Sequence, residues 1–321
     1  MSPHNSPRLS VRLTQMRREA DAIVSYEFRP IGQAQLPPFA AGAHIDLFLP
    51  NGLTRSYSLL NDPHECQRYL IAVQREADGR GGSAWMHQNP RIGDSFQISS
   101  PGNDFPLCEE ASESVFICGG IGITPVMSMI CRLNRLGRPW RLFYAARSPD
   151  SAAFVQELRG ADGATGSIDF RFESAHAARL DLRALIAATG PEAHLYCCGP
   201  RGMVDDFLAA CAGRAPEKVH YERFGAAAAA ASSGGFDVVL HRSGRRIAIA
   251  AGKSILDALL DCGVEVQYAC SAGVCGTCKT AVIDGVPEHR DDYLSADEKR
   301  SNDAVMVCCS GSLSSTLVLD L

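Results

Sequence analysis

The chain has 321 residues, 46% apolar and 21% charged, which is enough for two or three domains with substantial cores. Its formal net charge is −5 with no block of like charge, which argues against nucleic acid or an anionic membrane as partner. Residues Met1 to Arg8 are polar and lack an apolar h-region, and no run approaches the ~18–20 apolar residues of a spanning helix, so the expected compartment is the cytoplasm.

The first ~104 residues read as β structure. Ile45, Leu47 and Leu49 alternate with His44, Asp46 and Phe48, and strands are expected at Arg68–Arg75 and Phe96–Ser99. Pro37-Pro38, Gly42, Asn51-Gly52, Asp62-Pro63 and Gly93-Asp94 punctuate them as turns, a spacing that fits an antiparallel barrel or sandwich. His44 and His87 are lone histidines and are expected to be structural.

Near residue 105 the pattern changes. The apolar run Ser114–Cys118 leads into Gly119-Gly120-Ile121-Gly122-Ile123-Thr124-Pro125, then a helix over Val126–Leu136 stopped by Gly137. Strands at Trp140–Ala146 and Ala193–Cys198, the latter followed by Gly199-Pro200 and a helix near Met203–Ala212, imply a parallel sheet with helical crossovers. The small-residue stretch Gly225–Gly235 reads as a linker.

The last part opens with a hairpin, Val238 and Leu240 against Ile247 and Ile249 around Ser243-Gly244. Ser254 with Asp257 begins a helix over Ile255–Cys262, and Ser295 with Glu298 repeats the capping pattern. From Phe236 onward there are 12 acidic and 8 basic residues, an acidic surface that could steer docking to a basic partner.

Thirteen cysteines in a reducing compartment imply buried thiols, metal ligands or redox chemistry. Six scattered ones, Cys66, Cys108, Cys118, Cys131, Cys211 and Cys262, are expected to be small buried hydrophobes. Cys270, Cys275 and Cys278 are different. Their C-x4-C-x2-C spacing, with Cys308 or Cys309 about thirty residues on, is that of plant-type [2Fe–2S] sites. Ser271, Ala272, Gly273, Gly276 and Thr277 are small enough to turn backbone N–H groups toward sulfur. A zinc knuckle is the alternative, but no second CxxC or His pair is present to complete one.

With these motifs the whole chain resembles the phthalate dioxygenase reductase-like proteins, single-chain reductases of Rieske-type oxygenases. The resemblance implies an antiparallel β-barrel that binds flavin (1–104), an α/β parallel sheet for the nucleotide (105–225), a linker (226–235) and an α+β ferredoxin-like β-grasp (236–321). The terminal run Leu317–Leu321 matches the family's ending and favours Cys308 as the fourth metal ligand, with Cys270, Cys275 and Cys278.

Arg55-Ser56-Tyr57-Ser58 resembles the family's R-x-Y-S flavin motif: a guanidinium for phosphate, a ring to cover the flavin, and hydroxyl donors. Gly79-Arg80-Gly81-Gly82-Ser83 reads as a glycine turn into a helix that offers N–H groups to the phosphate. Ala72 and Val73 are implied as flavin-lining, and so is Phe224, whose alternative is a linker-packing aromatic. The matching subgroup implies FMN, with FAD second. Gly120, Thr124 and Pro125 fit a pyrophosphate at a helix N-terminus, with Gly199, Pro200 and Arg147 around the nucleotide. The resemblance places Cys198, in Cys-Gly-Pro, where nicotinamide meets flavin, and implies roles in the reaction for Cys198 and Thr124. No acid follows the strand ending at Ala146, where Arg147-Ser148 stand. NADH is the expected donor and NADPH the second.

Together these imply a reductase moving electrons from NAD(P)H through FMN and [2Fe–2S] to a Rieske non-haem iron oxygenase or demethylase in aromatic catabolism. The other readings are a reductase serving a P450 or separate ferredoxin, and a non-catalytic iron–sulfur redox sensor.

Overall fold

The computed structural model describes all residues except 1–7, 78–80, 162, 164, 174–179, 225–234, 252, 269–272, 274 and 275. The linker expected at 226–235 lies almost wholly outside the described residues. Two compact units are formed, Met1–Phe224 and Gly225–Leu321.

The first unit begins with a long hairpin, β1 (Leu9–Ala20) and β2 (Ile23–Pro30). The sequence reading omitted this hairpin because bulges between Leu13/Gln15 and Arg18/Ala20 interrupt its alternation. Then come β3 (His44–Phe48), β4 (Thr54–Ser58), β5 (Tyr69–Gln74), helix α1 (Gly82–Gln88) and β6 (Ser95–Ile98). The strands order as β4-β3-β6-β1-β2-β5, antiparallel throughout. The sheet curls so that its edges approach, and Leu60 N–H donates to the Leu70 carbonyl at 3.0 Å. Val11, Leu13, Tyr26, Phe28, Ile45, Leu47 and Ile71 fill the interior completely buried, each contributing roughly 1.5–3 kcal/mol. Two hydrogen bonds fix α1 to this barrel: Tyr26 Oη donates to the Met86 carbonyl at 2.6 Å, and His87 Nε2 pairs with the Val73 carbonyl at 2.9 Å.

A parallel five-stranded sheet follows: β7 (Ser114–Gly119), β8 (Trp140–Ala146), β9 (Gly166–Phe172), β10 (His194–Gly199) and β11 (Val219–Arg223), in the order β11-β10-β7-β8-β9. Helices α2 (Ile123–Leu136), α3 (Val155–Ala161), α4 (Leu182–Ala187) and α5 (Arg201–Ala210) accompany it. All six residues of β7 are buried, as a central strand covered on both faces requires. Helix α2 starts at Ile123, three residues before the expected Val126, because Pro125 falls in the first turn, where a missing N–H costs no hydrogen bond. Its end at Gly137, φ 65°, is as expected. The two sheets pack closely: Gly42 N–H donates to Ser128 Oγ at 3.1 Å, and a Cβ on Gly42 would strike the Phe105 carbonyl.

The second unit holds β12 (Phe236–Leu240), β13 (Arg246–Ile249), α6 (Ile255–Asp261), β14 (Lys279–Asp284), β15 (Pro287–Glu288), α7 (Ala296–Ser301), β16 (Ala304–Met306), β17 (Gly311–Ser312) and β18 (Thr316–Leu319). The hairpin pair β12 and β13 joins β18 in parallel, giving the order β13-β12-β18-β14-β16, and Ile255, Leu256 and Leu259 of α6 are buried in the same core. Ser295 and Glu298 form the reciprocal cap expected of them. Among the described residues no helix is long and apolar enough to cross a membrane. The scattered cysteines divide: Cys118 and Cys211 are buried, whereas Cys66, Cys108, Cys131 and Cys262 are only half-buried, which corrects the expectation for those four.

Candidate functional site

Strand β4 carries Arg55, Ser56, Tyr57 and Ser58, and β5 carries Ala72 and Val73, so the two edges of the curled sheet hold the expected flavin residues. Arg55 and Tyr57 pair across to Leu47 and Ile45 and share their face. Tyr57 packs half-buried on the barrel core, and burial pushes its phenol up to about 12. Ser56 and Ser58 take the other face; Ser56 donates to Asp46 Oδ1 at 2.6 Å. Ala72 and Val73 are buried, leaving backbone as what β5 presents.

Gly79 and Arg80 lie outside the described residues, but Gly81, Gly82 and Ser83 are placed. Gly81 has φ 83° and precedes α1. Arg55 lies so close to Gly82 that a Cβ there would meet its Nε at 2.6 Å. The Arg55 side chain, whose Nη1 donates to the Thr54 carbonyl at 2.7 Å, thus lies beside the start of α1; a guanidinium next to opening helix N–H groups is a donor set that fits a flavin phosphate. Ser83 Oγ accepts from Glu76 N–H at 3.1 Å, holding the turn.

The order of the five-stranded sheet reverses between β7 and β10. Open parallel sheets bind ligands outside the carboxyl ends of the strands at such a switch point. Gly119–Gly122 and Cys198–Gly199 stand at those ends in contact. A Cβ on Gly119 would reach Pro200 Cδ at 2.8 Å, and one on Gly122 the Cys198 carbonyl oxygen at 2.2 Å. Gly120, φ 54°, lies near Gln74 Oε1 of β5, 3.7 Å from where its Cβ would be, so the β5 edge of the barrel meets the Gly119–Gly122 loop. Thr124 is buried with its hydroxyl donated to the Ile121 carbonyl at 2.9 Å, and Pro125 sits beside it at the start of α2. Phe224 N–H donates to the Gly199 carbonyl at 3.3 Å, which carries the end of β11 to the same place. Arg147, exposed, follows β8; the Ser148 hydroxyl is engaged in a reciprocal cap with Ser151.

Cys198 is 0% exposed, so the side chain itself is closed off. Its thiol points to Glu222 Oε2, 3.9 Å away, and the two residues face each other in parallel register. Burial and then the Glu222 carboxylate drive the thiol far up, well away from thiolate. Burial, then the Asp104 charge, push Glu222 up to about 8, while the Cys198 hydrogen bond pulls the other way. Glu222 is the site residue that the sequence reading passed over, although it stands two positions before Phe224.

In the second unit, Cys270 and Cys275 lie outside the described residues. Cys278, Cys308 and Cys309 are all buried. The Cys308 sulfur faces those of Cys278 and Cys309 and accepts from the Gly273 N–H. The Cys309 sulfur turns back to the Met306 carbonyl and Ser310. Crowding by Cys278, with burial, raises the Cys308 thiol, a penalty that binding a cation would relieve. The described part of the loop thus fits a thiolate-bound cluster. Among the described residues alone no three ligating groups converge on one point.

Comparison with known proteins agrees with this geometry. Residues 116–208 match the family described as oxidoreductase NAD-binding domain, and residues 238–311 the 2Fe-2S iron-sulfur cluster binding domain. The chain is 50% identical to the phenoxybenzoate dioxygenase subunit beta of Ectopseudomonas oleovorans, covering 98% of this chain and 97% of that one. It is 38% identical to the phthalate dioxygenase reductase of Burkholderia cepacia, covering 100% and 99%. A solved phthalate dioxygenase reductase, described as a modular structure for electron transfer from pyridine nucleotides to [2Fe-2S], superposes with TM-score 0.81 at 37% identity over 100% of both chains. The chain belongs to the phthalate dioxygenase reductase-like family and is an NADH-dependent flavin and iron–sulfur oxidoreductase.

Proposed function

We propose that this protein is the cytoplasmic reductase of a Rieske-type oxygenase or demethylase acting in aromatic catabolism, with FMN in the barrel of residues 1–104 and NADH on residues 105–225. The observation that carries the reading is the approach of Gln74, at the end of the flavin-edge strand β5, to Gly120 in the nucleotide loop. It gives hydride donor and flavin a common cleft. The names of the dioxygenase relatives support an oxygenase as the acceptor.

Bound flavin takes two electrons as hydride and releases them singly, which a one-electron [2Fe–2S] centre requires. The protein's part is binding and orientation. Arg55 with Gly82 and Ser83 would anchor the flavin phosphate, and Tyr57 would cover the ring. Gly120, Thr124 and Pro125 would seat the pyrophosphate, and Gly199 and Pro200 would flank the nicotinamide. Phe224 would close the flavin side. Cys198, its thiol turned toward Glu222 and closed off from solvent, would form part of the wall on which the nicotinamide is seated. Cys270, Cys275, Cys278 and Cys308 would hold the cluster.

Replacing Arg55 with Ala tests the anchor. The purified variant should carry about tenfold less flavin, since a charge-assisted phosphate contact is worth roughly 1.5–3 kcal/mol. Full flavin content would remove Arg55 from the site.

A further inference from the structure

Glu27 and Asp291 are buried acidic residues. Glu27 is met by the guanidinium groups of Arg29 and Arg68. Asp291, 2% exposed, is met less completely. Its Oδ2 accepts from Leu294 N–H at 2.7 Å and Tyr293 N–H at 3.2 Å, with Lys299 Nζ 3.7 Å away. Its Oδ1 has no hydrogen-bond partner among the described residues. His289 Nδ1 lies 3.8 Å from it and also lacks one. The turn at residues 291–294 does not explain the charge, because an Asn side-chain oxygen would accept the same two N–H bonds. A buried and incompletely paired carboxylate is costly and calls for a reason.

Its position supplies one. A Cβ on Gly273 would lie 3.1 Å from Asp291 Cα and 3.2 Å from its Cβ. Asp292 N–H donates to the Gly273 carbonyl at 3.0 Å. Gly273 lies between Cys270 and Cys275, and its N–H is directed at Cys308. Asp291 is thus packed against the middle of the cysteine loop.

We propose that Asp291 is a positioning residue whose buried negative charge lowers the reduction potential of the [2Fe–2S] centre, with Lys299 partly offsetting it. The proposal rests on Cys270, Cys275, Cys278 and Cys308 holding that centre. Adding an electron beside a fixed negative charge is disfavoured, and burial weakens the screening that would hide the effect.

The test is a potentiometric titration of the purified holoprotein, followed by the visible absorption and electron paramagnetic resonance of the cluster. Asp291→Asn keeps the turn and removes the charge. Its midpoint should rise by about a tenfold change in the one-electron equilibrium, ~59 mV. Lys299→Met should move the midpoint downward, and the exposed Asp297→Asn should leave it in place. Opposite shifts at residues 291 and 299, with unchanged cluster spectra, support the proposal. No shift at either, or shifts in the same direction, overturns it. If Asp291→Asn fails to retain the cluster, the downward shift of Lys299→Met decides, and its absence overturns the proposal. A wild-type protein without a [2Fe–2S] signal would instead defeat the ligand assignment.

Discussion

Gly122 and Cys198 are backbone neighbours with no room for a side chain between them: a Cβ on Gly122 would stand 2.2 Å from the Cys198 carbonyl oxygen and 2.8 Å from Gly199 N. The atoms in the way are main chain of a central strand, so they cannot rotate aside. Gly122→Ala should cost about 1–3 kcal/mol of stability. It should also slow NADH reduction of the flavin by roughly tenfold, since a misplacement near 1 Å is enough for losses of that order or more. Gly202 in α5 is the control, with nothing within 4 Å of its Cβ. Gly202→Ala should be neutral or stabilising by up to about 1 kcal/mol. Stopped-flow reduction and thermal unfolding of both variants check the pair.

Glu222 predicts a decline in stability as pH rises from the acid range through about 8. Its folded value of about 8 lies above the ordinary carboxylate value of 4.5. Between these values the folded protein binds more protons than the unfolded one. Glu222's contribution is therefore fully present below about pH 4.5 and is lost as pH rises through 8. Glu222→Gln should flatten both the decline of unfolding temperature over that window and the pH dependence of flavin reduction near pH 8. A wild-type profile that Glu222→Gln leaves unchanged would exclude the residue.

Glu27 acts in the opposite direction. Burial alone would raise it, but hydrogen bonds from Arg68, Arg29 and Thr14 outweigh that and hold it near 2. Its contribution is present above the unfolded value of about 4.5 and is lost as pH falls through 2. His220, lowered to about 4 by burial and then by His194, follows the same sign, with loss beginning below about pH 6.5. Glu27→Gln should be less stable at neutral pH and less sensitive to acid below pH 4.5, as measured by circular dichroism across that range.

Arg147 bears on coenzyme choice. It stands exposed after β8, the strand next to β7 on the side away from the switch point. An acid there bonds a ribose 2′-hydroxyl and repels a 2′-phosphate. Arg147→Asp should reduce kcat/KM for NADPH by about tenfold or more and leave NADH within a fewfold, in steady-state assays with an artificial acceptor.

The stretches proposed as cofactor loops stand out in the sequence because each such loop demands particular residue types at fixed spacing. Cys278 with Cys308, Gly120 before Thr124, and Arg55 before Tyr57 are such cases. Side chains whose role comes from pairing between distant segments do not. Glu222 meets Cys198 only through the parallel register of β10 and β11. Asp291 carries no motif in the sequence, and it is buried in the turn in which Leu294 N–H donates to its carboxylate. The hairpin of β1 and β2 was hidden by its bulges. Strand β9 was missed because this edge strand is only half covered, so neither a clean alternation nor an apolar run marks it. The start of α2 was displaced by reading Pro125 as a boundary when it occupies the first turn.

The most direct test of the electron path is anaerobic titration with NADH of the wild-type protein and of Cys278→Ser, followed by visible absorption and electron paramagnetic resonance. The wild type should consume NADH beyond what reduces its flavin, with the further electron appearing in the [2Fe–2S] signal. Cys278→Ser should stop at reduced flavin, reached at an unchanged rate. A wild-type cluster that stays oxidised beside fully reduced flavin would contradict the account, and so would a Cys278→Ser protein that also loses flavin reduction.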